Sequence, residues 1–157
     1  MIAQTLRKLL GFVLLAIVSM SSSPTMAQGG GDMKTVGNVL IYLGLLPTAM
    51  VRGHPQEHSE ASMHGGVPKG TDQYHIIIAL FDAKTSARIE NADISARVFE
   101  TGLAGEEKKL EPMQIAGTIT FGNYFPMGGK GPFHIRVTIH IPGQAQPITT
   151  EFEHRHQ

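Results

Sequence analysis

Thioether sulfur and imidazole nitrogen are the soft-metal donors available to this chain, because its sequence has no cysteine. All eight histidines lie between His54 and His156, and five of the eight methionines follow residue 27. Such donors suit copper, with thioethers favouring Cu(I), and without thiols they cannot be lost to a disulfide. His54, His58, Met63 and His64 lie in one stretch that could converge on an ion, at a cost in ordering entropy. A polar loop with incidental histidines is the alternative there. His75 opens an apolar run and shares parity with Ile77, Ala79 and Phe81, so it is either a ligand or a core or rim histidine. Met113 and Met127 flank the 118–125 stretch, and filling core gaps is the usual task of methionine. His134 and His140 share one strand face but stand ~20 Å apart at about 3.3 Å per residue, too far to hold one ion. His154 and His156 are about 7 Å apart by the same rise, a spacing for a weak chelate near a chain end.

Other chemistry is scarce. The sequence contains no Gly-x-Ser-x-Gly, no phosphate-cradling loop ending Gly-Lys-Ser/Thr and no His-Glu-x-x-His. Thiol catalysis is excluded outright. Glu106, Glu107 and Glu111 read as solvated surface. With no nucleophile–base pair in view, a non-catalytic protein is expected.

The elements that must position these donors follow a leader. Arg7 and Lys8 precede a twelve-residue apolar run, Leu9 to Met20. That run is shorter than the about 20 residues a bilayer span needs. Pro24 breaks it, and Thr25 and Ala27 place small residues at the −3 and −1 positions of a cut after Ala27. Residues 1–27 therefore read as a secretory signal peptide, with an uncleaved anchor as the alternative. No cysteine follows, which excludes a lipoprotein anchor. Loss of Arg7 and Lys8 with the leader leaves 11 basic against 13 acidic residues, a net charge of −2 with neutral histidines. No basic stretch supports nucleic-acid binding, and none supports anionic membranes. Export to the periplasm, with no stable membrane insertion after cleavage, is the expectation.

Residues 28–35 read as a flexible mature N-terminus and 36–157 as one β domain. Val39 to Leu45 reads as a strand ending at a Leu46-Pro47 turn, with a short helix near 48–52 as the alternative. Residues 52–73 form a long His/Met-containing loop without periodicity. Tyr74 to Asp82 is almost wholly apolar and is expected to be buried on both faces. Ala92 to Val98 and Phe133 to Ile141 alternate as half-buried strands, and Ile148 to Phe152 alternates again. Thr101 to Lys109 reads as a solvated connection, with Leu110 to Ile115 and Thr118 to Phe125 as shorter strands. Six to seven or more short strands with turn signals between them predict an all-β, antiparallel, immunoglobulin-like β-sandwich.

Two stretches then carry a family resemblance. One is Gly66-Val-Pro68 with Asp72-Gln-Tyr-His75 and the apolar strand ending Phe81-Asp82. The other is Glu111-Pro-Met113, Phe121-Gly122-Asn-Tyr and the run from Phe125 through the Met127-Gly-Gly-Lys-Gly-Pro132 turn to Pro142. Residues 63–142 resemble the periplasmic copper-binding proteins of bacterial high-affinity iron transport, an immunoglobulin-like family often paired with an inner-membrane iron permease. They are more loosely similar to YtkA-like periplasmic domains. The resemblance implies copper ligation by a histidine at the start of the first buried strand and a methionine before the central turn, matched by His75 and Met113. A further family histidine falls near Thr120, and a family glutamate falls at Ile77. Met63 and His64 would supply replacement ligands.

The leading expectation is a periplasmic metal-binding protein that handles copper, with iron as the other metal, beside an inner-membrane metal permease. His75, Met113, His64 and Met63 are the candidate ligands, with Met127, His154 and His156 as further ones, and Gly65-Gly66 and Met127-Gly128-Gly129 as the mouth. The other expectation is a structural or adaptor sandwich of an envelope complex. There the apolar 39–51 segment would dock on a partner or on a second copy of the chain as a homodimer.

Overall fold

The most apolar strand lies at the centre of its layer. In a computed structural model, which describes residues 32–52 and 66–156, β3 spans Gln73–Asp82 and runs between two antiparallel neighbours. Around it the described residues form β1 (Met33–Val36), β2 (Val39–Pro47), a five-residue helix α1 (Thr48–Arg52), β4 (Asp93–Glu100), β5 (Glu106–Ile115), β6 (Thr118–Pro126), β7 (Phe133–His140) and β8 (Ile148–His154). Every pairing is antiparallel, in the order β1-β2-β3-β6-β5-β4-β7-β8. The fold class read from the sequence is the one observed.

One strand joins the two layers. The Glu106–Leu110 half of β5 pairs with β4, and the Glu111–Ile115 half pairs with β6. Pro112 has no N–H for a second ladder, so it is tolerated where β5 has only β6 beside it. The layers close on a core in which Ile76, Ile78 and Leu80 of β3 meet Phe121 and Phe125 of β6, Ile135, Val137 and Ile139 of β7, and Phe152 of β8. Lys34 of β1 donates to the Glu151 carbonyl of β8, tying the two ends of the sheet together.

Four readings are corrected. Met33–Val36 is a strand rather than part of a flexible N-terminus, and it pairs with β2 through a tight turn in which Gly37 takes φ +60°. Gly37-Asn38 is thus the two-residue turn of a hairpin. The β2 strand runs on to Pro47, and the short helix follows it. Glu106 to Lys109 belongs to β5 and not to a connection, because its charges find cross-strand partners: Glu107 with Arg97, and Lys109 with Asp93 at 2.6 Å. Finally, β3 is not buried evenly on both faces. Ile76, Ile78 and Leu80 are fully buried on the core side, whereas Ile77, Ala79 and Phe81 on the other side are half-buried.

Candidate metal centre

Strand register brings His75 and Met113 to opposite banks of one glycine. His75 of β3 pairs with Tyr124 of β6, and Met113 of β5 pairs with Thr120 of β6. Gly122 lies between those two positions, paired with Ile77 on one side and Glu111 on the other. Paired residues of antiparallel strands project to the same face. His75, Ile77, Gly122, Glu111 and Met113 thus share the outer face of this layer, opposite Phe121 and Phe125.

The missing side chain at Gly122 leaves a gap that both donors enter diagonally. A Cβ built there would stand 2.7 Å from His75 Nε2, 2.7 Å from Met113 Cε and 2.9 Å from the Ile76 carbonyl oxygen. The imidazole nitrogen and the thioether methyl are therefore at most twice 2.7 Å apart. A glycine inside a strand marks a close approach of other groups. Here the groups that approach are an imidazole nitrogen and the methyl end of a thioether side chain.

Both donors are withdrawn from solvent, His75 at 0% exposure and Met113 at 1%. Neutral imidazole and thioether can be buried at far lower cost than charged ligands. The His75 ring stacks on Tyr124, with centroids 4.5 Å apart and planes at 26°. Thr120, near which the resemblance places a further histidine, gives its hydroxyl to the Met113 carbonyl at 3.4 Å. Among the described residues, no group of three or more His, Asp or Glu side chains is placed to hold a metal ion. The described residues thus bring one imidazole and one thioether side chain together at Gly122.

The remaining candidates do not join it. Met63 and His64, with His54 and His58, lie outside the described residues. Met127 is a correction: it packs in the core at the end of the inward-facing series Phe121, Phe125, Met127, across the sheet from His75. It cannot line a mouth with Gly128 and Gly129.

His154 and His156 are also placed differently from a free chelate. Their rings meet edge to face at 5.3 Å and pack on Tyr74. His156 Nε2 donates to the Met127 carbonyl at 2.8 Å, and its Nδ1 lies 3.1 Å from the Tyr74 hydroxyl. A carbonyl only accepts, so in the neutral ring Nδ1 takes the Tyr74 proton. With both nitrogens engaged, His156 fastens the chain end to β3 and to the β6–β7 turn. His154 is held below the ordinary imidazole range, first by burial and then by the charge of His156, with Asp32 opposing. On the outer face of the second layer, His134 bridges Glu151 at 3.0 Å and Thr101 at 3.1 Å.

Gly122 is the position that the sequence alone does not connect to His75 and Met113. The available signal was a glycine interrupting the Thr118–Phe125 strand.

No family model matches the chain, and no curated protein does. Solved structures do match. A copper-bound variant of FetP from uropathogenic Escherichia coli strain F11 superposes with a TM-score of 0.60 at 16% identity, covering 80% of this chain and 94% of that one. As-isolated FetP of the same strain gives 0.59 at 16% identity, covering 80% and 93%. A DUF4426 family protein from Pseudomonas aeruginosa PAO1 gives 0.54 at 12% identity, covering 79% and 94%. At these identities the likeness is one of fold. No described helix is long and apolar enough to cross a membrane.

Proposed function

We propose that this chain is an exported, non-catalytic metal-binding protein that takes copper between His75 and Met113 over Gly122, and acts in periplasmic copper or iron handling. The observation that carries the reading is the gap at Gly122, into which the imidazole nitrogen and the thioether methyl both project. The fold shared with copper-bound FetP supports it. The donor set fits the metal: a thioether suits Cu(I), and an imidazole serves copper in either oxidation state. His75 would ligate through Nε2, which requires the neutral ring, so acid weakens binding. Iron is the alternative cargo, and an inner-membrane metal permease is the partner that would receive it.

The test is copper affinity by competition with a chromogenic chelator. Wild type should compete, and a His75→Ala, Met113→Ala double variant should lose at least tenfold. Equal affinities would remove the proposal.

Full burial of His75 and Met113 favours a second reading, in which the pair is packing in a structural or adaptor sandwich. A ligand at 100 times its dissociation constant adds about 2.7 kcal/mol to folding. Melting unchanged by Cu(I), Cu(II) and Fe(III) would favour the adaptor.

A further inference from the structure

The outer face carries a row of residues that ends in a charge. Along it lie Gly44 of β2, Ile77 of β3, Gly122 of β6 and Glu111 of β5, each paired with the next. The two glycines leave the row low, and a Cβ at Gly44 would already touch Ile77 at 3.4 Å. His75 lies on one bank and Met113 on the other, both buried. Glu111 is the one ionisable residue of the row, sits beside Gly122 in register, and is exposed.

We infer that Glu111 is a third ligand, the carboxylate that admits Cu(II) to a site whose buried donors alone select Cu(I). This rests on the reading of His75 and Met113 as ligands. A neutral nitrogen and a neutral sulfur give no counter-charge to a divalent ion, and moving such an ion from water into their surroundings is costly. A carboxylate oxygen supplies one negative charge and is a harder donor than a thioether. On Ile77's side of Gly122 the row offers hydrocarbon, so Glu111 is the group on this row that can do it. Glu111 and Met113 are two positions apart on the same strand, which places both side chains on one face. Pro112 between them fixes its own φ and so stiffens the backbone that presents them. An ion approaching from solvent would meet the exposed carboxylate first and the two buried donors after it.

The experiment compares wild type and Glu111→Gln for Cu(I) affinity, with a Cu(I)-specific chromogenic chelator, and for Cu(II) affinity, with a Cu(II) chelator. Electron paramagnetic resonance of the Cu(II) form is the second readout. Glu111→Gln should weaken Cu(II) at least tenfold, change Cu(I) less than threefold and alter the Cu(II) hyperfine pattern. Its exposed position lets the variant fold, which a melting curve checks. Unchanged Cu(II) affinity, or an equal loss for both ions, overturns the role of Glu111. In that case wild-type copper binding that still depends on His75 and Met113 leaves the parent reading standing. Failure of the parent reading shows separately, as wild-type affinity that is absent or insensitive to the double substitution.

Discussion

One methyl group added at Gly122 would fill the space between the His75 and Met113 side-chain ends. In Gly122→Ala the new Cβ falls 2.7 Å from His75 Nε2 and from Met113 Cε, and 2.9 Å from the Ile76 carbonyl oxygen. Two of these neighbours are side-chain ends that can swing away. The third is backbone and must shift. Overpacking of this kind costs about 1–3 kcal/mol. Replacing a strand glycine by alanine returns roughly 0.5–1 kcal/mol of unfolded-state entropy. The net loss then lies between about 0 and 2.5 kcal/mol, at most roughly 10 °C in melting temperature for a domain of this size. The larger effect falls on copper. The methyl occupies the space where the donors meet, so the His75 and Met113 ends must separate, and affinity should drop by tenfold or more. Differential scanning calorimetry and chelator competition on the same preparation measure both effects. Copper affinity within twofold of wild type, with melting unchanged, would refute the idea that the gap holds the site.

Three further outcomes follow. Met127→Ala should cost about 2–5 kcal/mol in stability, as for other buried methionines, while copper affinity stays within twofold; the reverse pattern would restore Met127 as a ligand. The His154 pKa is depressed in the folded state. The unfolded chain therefore binds more protons below the ordinary imidazole value of 6.5, so stability is complete above that pH and falls as pH drops toward the folded pKa. His154→Gln should flatten this acid-side loss in melting temperature, and an unchanged slope would contradict the assignment. Intact mass of the protein secreted into a bacterial periplasm should correspond to a chain starting at Gln28, and a mass retaining residues 1–27 would favour an anchor.

The parts of the fold that could be read from the sequence are those governed by local pattern. The alternation of Ile135, Val137 and Ile139 against His134, Arg136 and Thr138 is β7 as observed, because period-2 burial needs no distant information. Reading failed where distant strands decide. Glu106 to Lys109 looks like a solvated linker until Arg97 and Asp93 lie opposite, and Met33 to Val36 looks like a tail until β2 folds back on it. The site shows the same division. His75 and Met113 stood out by residue type and by family resemblance. What joins them is Gly122, far from residue 75 in sequence, and only the β3–β6–β5 register makes it their meeting point. Met127 and His156 drew notice for the same residue types, but packing turned one inward and engaged both nitrogens of the other.

The most direct measurement is X-ray absorption at the copper edge of the Cu(I)-loaded protein. Because the chain has no cysteine, any sulfur in the coordination sphere must be a methionine thioether. One sulfur together with imidazole nitrogen is expected, with the sulfur signal abolished by Met113→Ala. A sphere of nitrogen and oxygen alone in the wild-type protein, or a sulfur signal untouched by Met113→Ala, would contradict it.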